Sequence, residues 1–523
     1  MTDADTQETW TVSKPAITGR GGLVASQHYL ASDIGAEILA RGGNAVDAAV
    51  AAGLAISTVE PWMSGLGGCG FMMIYLAKEK AVKAVQFGFV SPKDLYPADY
   101  PLSGSLGADM FGWPEVLENR NVVGPHAMSV PTYVAGVARA LADYGSLTWG
   151  EAIAPAVRLA EAGMPVDWYA TVMIANEAHN LAAFEASKRV YLPNGLPPVA
   201  GFGRVATDLR IGNLAATLNR LGAAGPGDFY DGEIAEKIIR DTRALGGRLS
   251  RDDLAGYEPE VIDVTGVAQG PATLYHTPGL TGGPTVRDAR DIWLERVSPT
   301  TGAPDAAAFV AHADALQQAF GHRLATMGQG DNAKEPSCTT HLSVVDGEGN
   351  MVALTQTIVS LFGSRVLLPE TGITMNNGIM WFDPRPGRPN SLAAGAHGLC
   401  NMCPMIVVRN DGLRFALGAS GGRKILPAVY QLVSFMVDQG MDVETAMHWP
   451  RIDVSGADAV SADPRLDTDI LDALDRSFTV QPAAYRTFPM NYACPNMVAV
   501  DADGAMTGGA YVHSPLAKVS ASD

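Results

Sequence analysis

Apolar and polar positions alternate along the chain between residues 337 and 358. A period of two is typical of β-strands that bury one face. The run Asp-Gly-Glu-Gly-Asn at 346–350 interrupts the alternation and is rich in turn-forming residue types. The pattern predicts two strands joined by a hairpin-like turn, with Thr339 and Thr340 at the mouth of the first strand.

Helical patterns recur on both sides of this hairpin. The predicted helices cover residues 45–57, 133–144, 149–163, 235–245, 306–327 and 425–439. Asn44, with Asp47 three residues later, is a typical capping box for the first of these. An earlier helix is predicted to start at Ser32-Asp33 and to end at Arg41-Gly42-Gly43. The chain is therefore predicted to be mostly helical from residue 129 to 327, and strands with glycine turns dominate from residue 339 to about residue 420.

Glycine-rich stretches occur at two strand boundaries. Gly65, Gly67 and Gly70 have the GxGxxG spacing, but a helix precedes them and a strand follows, which is the reverse of the dinucleotide-binding order. We therefore reject a nucleotide cofactor. The second stretch, 418–422, lies between a predicted strand and a predicted helix. Its amides can point into one concavity and hold an oxyanion, or the glycines can simply allow tight packing, and the pattern alone leaves both interpretations open.

Composition and charge narrow the class of protein. The chain has 523 residues, of which 47% are hydrophobic and 18% charged, enough for one very large domain or two to three ordinary ones. The net charge of −18, with no basic run, argues against nucleic acid and anionic membranes as partners. The N-terminus lacks a signal-peptide pattern and no run is long enough to span a membrane, so we expect a cytoplasmic location. Five cysteines without an export signal predict reduced thiols.

The first candidate for chemistry is Thr339. A lone threonine hydroxyl is a weak nucleophile, but a cut before Thr339 would free an α-amine that could act as its base. The polar approach 327–338 is predicted to be exposed and flexible, so that a cut would be tolerated there. From these residues alone, an ordinary β-branched start of a strand is the simpler interpretation.

Several ordered stretches resemble the gamma-glutamyltransferase (glutathione hydrolase) family of N-terminal-nucleophile hydrolases, over nearly the whole chain. They are Gly42 to Ala49, Gly65 to Phe71, Pro155 to Ala160, Thr339-Thr340-His341 with Ser343 to Asp346, and Gly421-Gly422. The resemblance implies an α+β fold, a four-layer αββα sandwich. It also implies self-cleavage between Cys338 and Thr339. The resulting subunits, 1–338 and 339–523, are expected to form one intertwined domain as a heterodimer, with further dimerisation left open.

The resemblance also assigns catalytic roles. Thr339 is the expected nucleophile, Thr357 orients its hydroxyl, and Gly421 with Gly422 forms the oxyanion hole. Thr340 is expected in the substrate site, where it supports the strand and hydrogen-bonds the amine. No metal or other cofactor is implied, and the expected partner is a small-molecule amide.

Departures from the family pattern concern the substrate. The positions that read the charged groups of a glutamyl substrate hold Gly88, Val359, Gly378, Trp381 and the pair Cys400-Asn401. Loss of these polar partners disfavours γ-glutamyl substrates by orders of magnitude. Trp381, Cys400 and Asn401 are therefore predicted to line the site of a non-glutamyl amide, and Met380 to Phe382 its apolar or aromatic wall.

Other candidate residues have simpler interpretations. His341 is expected to be structural, with its side chain on the face of the strand opposite the nucleophile. Cys400 and Cys403 have the spacing of a zinc half-site but no second pair, so buried thiols are expected. Arg423 and Lys424 could be solvated loop charges, which is the default interpretation, or could bind an anionic substrate, because they adjoin the glycine pair.

The sequence thus predicts a self-processing amide hydrolase or acylase. Two alternatives remain: a true γ-glutamyltransferase with a rearranged pocket, and a non-catalytic relative that keeps the fold for binding.

Overall fold

The computed structural model describes residues 11–106, 113–298, 301–327, 338–455 and 459–523. The helices of this part are α1 (Tyr29–Ala40), α2 (Ala45–Val59), α3 (Tyr133–Tyr144), α4 (Trp149–Ala162), α5 (Trp168–Asn176), α6 (Ala178–Leu181), α7 (Glu185–Tyr191), α8 (Leu214–Ala224), α9 (Asp228–Asp231), α10 (Glu233–Ala244), α11 (Arg251–Ala255), α12 (Gly283–Leu294), α13 (Ala306–Met327), α14 (Ile425–Val437), α15 (Val443–His448) and α16 (Thr468–Ser477). The strands are β1 (Ile17–Gly19), β2 (Gly22–Ser26), β3 (Cys69–Leu76), β4 (Ala81–Phe87), β5 (Leu102–Leu106), β6 (Pro114–Val116), β7 (Met164–Val166), β8 (Thr207–Leu209), β9 (Glu260–Asp263), β10 (Val267–Gln269), β11 (Ala272–His276), β12 (Cys338–Asp346), β13 (Met351–Val359), β14 (Met405–Arg409), β15 (Arg414–Ser420), β16 (Ile452–Asp453), β17 (Ala459–Ala462), β18 (Thr479–Pro482), β19 (Cys494–Val500), β20 (Met506–Ala510) and β21 (Lys518–Ala521).

Two seven-stranded sheets form the centre of the fold. Sheet I has the strand order β21-β2-β12-β13-β3-β4-β9, and sheet II has the order β1-β20-β19-β15-β14-β11-β10. Neighbouring strands in both sheets are antiparallel. Strands from before and after residue 338 are mixed in each sheet, so the two halves of the chain share both.

Alternation of side chains divides sheet I between two cores. Leu23 and Ala25 of β2 face the space between the sheets, where they meet Ile406 and Ala416 of sheet II. Val24, between them, faces the helical layer that includes α2. The other face of sheet II packs against α12, α13 and α14. The predicted α+β fold with four layers, αββα, is therefore confirmed.

The first two helices show where local signals succeed and fail. The Asn44 capping box begins α2 as predicted, with its side chain accepting from the amides of Val46 and Asp47. The cap of α1 is His28 and not Ser32-Asp33, since the His28 ring nitrogen accepts from the Leu30 amide. Ser32 lies inside the helix and donates to the main-chain oxygen of Lys518. A tertiary contact therefore uses the hydroxyl that the sequence suggested as a cap.

A fully buried ion pair fixes the helical layer on sheet II. Arg290 of α12 donates to both carboxylate oxygens of Asp438, over 2.8 and 3.2 Å, and to Gln269. Ser434 also donates to Asp438. Each charge therefore depends on its partner, because water reaches neither.

Asp438→Ala is expected to lower the free energy of unfolding by about 3–5 kcal/mol, because it leaves the Arg290 guanidinium buried without its counter-charge. Urea unfolding followed by tryptophan fluorescence measures this. Asp143→Ala, which breaks the exposed pair with Arg139, is the control and is expected to change stability by less than about 1 kcal/mol. Equal effects of the two substitutions would contradict the role given to the buried pair.

Candidate functional site

Thr339 lies buried at the start of β12, where its Oγ1 donates to Thr357 Oγ1 of β13 over 3.4 Å. The register of β12 and β13 shifts between Cys338 and Thr340, where the single residue Thr339 lies opposite two residues of β13, Thr357 and Ile358. Thr357 Oγ1 also accepts from the Val359 amide over 2.8 Å. This second bond fixes the Thr357 hydroxyl, which can then hold the hydroxyl of Thr339 in one orientation.

Val359 completes this arrangement in a strained conformation. Its φ is +86°, a region that β-branched residues rarely adopt because the side chain crowds the backbone. Such strain costs on the order of 1–3 kcal/mol and is typical of functional sites. The strained turn aims the Val359 amide at Thr357 and buries the valine side chain beside Trp381 and Cys400.

The glycine loop lies at the same end of the sandwich. Gly418 of β15 faces His341 of β12 so closely that a Cβ on it would lie 2.4 Å from the imidazole ring. The strand continues through Ser420 into Gly421 and Gly422, whose φ values are +129° and +60°. Positive φ in consecutive residues turns neighbouring amides into a concavity that suits an oxyanion.

Gln27 ties this loop to sheet I. It follows β2, and its side-chain amide donates to Ser420 Oγ and, over 3.1 Å, to the main-chain oxygen of Cys494. Lys424, just after the glycine pair, donates to the main-chain oxygen of Asn491 over 2.8 Å. That main-chain contact already engages the Lys424 ammonium predicted to bind an anion, while Arg423 is buried beside it.

Thr340 faces the helical layer, on the side of β12 opposite the space between the sheets. Its Oγ1 donates to Glu60 Oε2 over 3.3 Å. Gln356, its partner in β13, faces the same side and donates to Gly53 and Ser57 of α2. The predicted contact of Thr340 with substrate stays a prediction.

Glu60 was missed by sequence reasoning. It is buried at the C-terminal end of α2, and burial raises the pKa of its carboxyl to about 8. The available signal was an acidic residue between an apolar helix and a glycine loop, which by itself is a common pattern.

The predicted direction of His341 is wrong. Its ring contacts Thr355 Oγ1 over 2.8 Å and Ser343 Oγ over 2.9 Å. Thr355 and Thr357 lie on one face of β13, so the side chains of His341 and Thr339 point to the same side of β12. The two residues are two positions apart, and alternation places such residues together. Burial lowers the pKa of His341 to about 3, and the neutral ring serves the strand contacts.

An apolar cluster occupies the predicted substrate side of the site. Trp381 lies in it with Met380, and its ring is 5.1 Å from that of Phe89. A Cβ on Gly88 would lie 2.9 Å from the Phe71 ring, so an aromatic side chain fills the space there. Trp381 and Met380 thus lie in a buried apolar cluster, and their place in the wall of a substrate site stays a prediction.

Cys400 and Asn401 lie at the edge of this cluster. Cys400 is fully buried, and burial raises its thiol pKa to about 12. Asn401 Oδ1 accepts from Arg323 over 3.1 Å, and the same guanidinium donates to the Cys400 main-chain oxygen over 2.6 Å. Arg323, another residue that the sequence did not single out, thus connects α13 to the Cys400-Asn401 segment. Cys403 is also buried and free, as predicted.

Some predictions fall on residues without a described structure. The stretch 327–338 is predicted to be an exposed, flexible approach, and within it residues 328–337 and the side chain of Cys338 lie outside the described residues. In the described ranges, no helix is long and apolar enough to cross a membrane. Nor do three or more His, Cys, Asp or Glu side chains there come together in a way that could hold a metal ion.

Comparison with known proteins places this arrangement in a family. The family described as Gamma-glutamyltranspeptidase matches residues 31–334 and 324–510. The Acylase ACY 1 proenzyme of Pseudomonas sp. (strain SE83) is 31% identical, over 96% of this chain and 94% of its own length. The Glutathione hydrolase proenzyme of Bacillus subtilis (strain 168) is 28% identical, over 88% of this chain and 85% of its own. The crystal structure of cephalosporin acylase from Bacillus halodurans has the same fold, with a TM-score of 0.85 at 23% identity over 99% of this chain and 98% of that one. The chain therefore belongs to the gamma-glutamyltranspeptidase family.

Proposed function

We propose that the protein is a self-processing acylase, an amide hydrolase whose nucleophile is the N-terminal threonine Thr339. The observation that carries this proposal is the hydrogen bond from the Thr339 hydroxyl to Thr357, at the start of a central strand. The Gly421-Gly422 loop lies at the same end of the sandwich. The proenzyme names of the two relatives support a processed chain.

Self-cleavage begins when Thr339 Oγ1 loses its proton and attacks the carbonyl carbon of Cys338. The peptide C–N bond breaks, the nitrogen of Thr339 takes up a proton, and an ester joins Cys338 to the Thr339 hydroxyl. Water then hydrolyses the ester. The products are a carboxylate on Cys338 and a free hydroxyl and α-amine on Thr339.

The same groups then act on an amide substrate. The α-amine accepts the hydroxyl proton, Thr339 Oγ1 attacks the acyl carbon, and the Gly421 and Gly422 amides stabilise the oxyanion. The leaving amine takes the proton, and water hydrolyses the acyl ester. Residues 1–338 and 339–523 are the proposed subunits, and the mixed strand order of both sheets would hold them together.

The acyl group is proposed to be one without the glutamyl α-amino and α-carboxylate groups. Charged groups would have to enter the apolar cluster of Phe71, Phe89, Val359 and Trp381 without partners, which costs several kcal/mol. The Pseudomonas acylase supports this choice of class. Similarity to the Bacillus subtilis glutathione hydrolase is the reason why a γ-glutamyl substrate is the second candidate.

An acyl-anilide panel separates the two candidates. We expect kcat/KM for γ-glutamyl-4-nitroanilide to be about 10²-fold or more below that for hexanoyl- or phenylacetyl-4-nitroanilide, and glutaryl-4-nitroanilide, which keeps the carboxylate, to lie between them. Release of 4-nitroaniline, followed at 405 nm, measures the rates. The glutaryl compound isolates the effect of the α-amino group, because it differs from the glutamyl compound by that group alone. Hydrolysis of the γ-glutamyl compound as fast as the best of the others would favour the second candidate. Failure of a fully cut protein to hydrolyse any of them would count against the amide-hydrolase proposal.

A further inference from the structure

Helix α2 passes through the interior and ends beside the nucleophile. Each of its residues from Ala45 to Val59 is buried, and Glu60 follows as its C-terminal cap. The C-terminal end of a helix carries a partial negative charge from its free carbonyl groups. A carboxylate buried there is disfavoured both by the loss of water and by this field.

Within the described part of the chain, the groups around Glu60 provide no permanent counter-charge. Thr340 Oγ1 of β12 donates to its carboxyl over 3.3 Å. From β19, the Cys494 thiol lies within electrostatic reach, but its pKa is raised to about 12, chiefly by burial, and it stays neutral. Arg451 and Lys14 also interact electrostatically with Cys494, and each acts to lower its pKa. Among the described residues, no lysine, arginine or histidine forms an ion pair with Glu60.

In the proposed mechanism, self-cleavage creates a group near Glu60 that can carry a positive charge. Thr340 directly follows Thr339, so backbone geometry and the 3.3 Å hydrogen bond place the Glu60 carboxyl within about 10 Å of the Thr339 nitrogen. Before the cut that nitrogen is a neutral amide, and after the cut it is an amine that can carry a charge. Charges at this separation interact strongly where water is excluded.

We propose that Glu60 is a positioning residue that controls, through Thr340, the proton on the Thr339 nitrogen. The inference rests on the proposed function. In cleavage, the Glu60 carboxylate favours uptake of a proton by the nitrogen as the C–N bond breaks, because it stabilises the positive charge that develops there. In turnover, the α-amine takes the proton of Thr339 Oγ1, the Glu60 carboxylate stabilises the resulting ammonium, and the leaving amine then removes the proton. The number of protons on the site is unchanged over one cycle.

The sign of the pH effect follows from this pairing. A carboxylate near an ammonium raises the pKa of the ammonium, and only the neutral amine can act as the base. The pH at which kcat/KM falls on the acidic side of the profile is therefore higher with Glu60 than without it. Glu60→Gln keeps the size and hydrogen bonding of the side chain but removes the charge.

The test compares wild type, Glu60→Gln and Glu60→Asp for self-cleavage and for kcat/KM against pH with the most active anilide. For Glu60→Gln we expect a roughly tenfold loss of kcat, and we expect the acidic limb of its kcat/KM profile to lie about one pH unit lower than in wild type. Glu60→Asp should recover part of both the kcat and the position of the limb. An uncut Glu60→Gln protein together with a cut Glu60→Asp protein would also support the inference. Asp47→Asn is the matched control, because Asp47 is buried at the other end of α2 and its loss should change stability but not the pH profile.

Several results would overturn the inference. One is a wild-type pH profile in cut Glu60→Gln, whether or not its rates fall, and another is failure of both Glu60 variants to cut. An acidic limb of the pH profile that shifts as far in Asp47→Asn as in Glu60→Gln would also overturn the inference. A wild-type protein that stays uncut would instead contradict the proposed function, so the two failures are distinguishable.

Discussion

Thr339→Ala is expected to remain a single uncut chain without amide-hydrolase activity. The substitution removes the only hydroxyl that both attacks Cys338 and forms the acyl ester in the proposed mechanism. Loss of the nucleophile in hydrolases of this type typically costs about 10³-fold or more in rate. Denaturing gels and intact-mass measurement should show two fragments for wild type, the smaller beginning at Thr339, and one chain for the variant.

Two variants control for indirect effects of this substitution. Thr339→Ser keeps a hydroxyl and is expected to be cut. Thr326→Ala changes an exposed threonine in the last turn of α13, close to the junction in sequence, and should be cut at the wild-type rate. Two fragments from Thr339→Ala would exclude Thr339 as the nucleophile of self-cleavage.

Gly421→Ala should slow both self-cleavage and turnover by about 10²- to 10³-fold, because both pass through an oxyanion. A Cβ at this position would lie 2.9 Å from the Ala493 Cα, and φ at Gly421 is +129°. The backbone must therefore move, and the amides of the loop move with it. The change should lower kcat more than it raises KM, since the oxyanion exists only after attack.

Gly387→Ala is the matched control for this loop. Gly387 also has positive φ, +75°, but a Cβ there would meet no atom within 4 Å. It should carry a similar local strain and leave both reactions within about twofold of wild type. A cut and fully active Gly421→Ala protein would contradict the oxyanion role of the loop.

Local signals predicted the elements of the fold well. The pattern over 306–327 corresponds to α13 (Ala306–Met327), and the capping box at Asn44 begins α2. Asn-Asp-Gly at 410–412 is a typical sequence signal for a hairpin, and it joins β14 and β15 in one. Caps, turns and periodicity lie within a few residues of the structure that they determine, so one sequence suffices to read them.

The candidate site could be predicted only in part. Thr339, Thr357 and the glycine pair were found through a motif resemblance, and the structure brings Thr339 and Thr357 into contact. Glu60 and Arg323 were not found, since their partners Thr340 and Cys400 lie 280 and 77 positions away along the chain. Local sequence patterns do not report contacts of this range. The predicted direction of the His341 side chain was wrong for a simpler reason. His341 is two positions from Thr339, and alternation places such side chains on the same face of β12.

Because strands from both halves of the chain are mixed in each sheet, we expect the chain to fold before it is cut. An intact chain folds with its two halves at the high effective concentration of a single molecule, whereas separated halves must meet by diffusion. After the cut, recovery from denaturant would slow on dilution, and the uncut chain would recover at a rate independent of concentration. The mature protein is in this sense a kinetic product, assembled once as a precursor and then maintained by its barrier to unfolding.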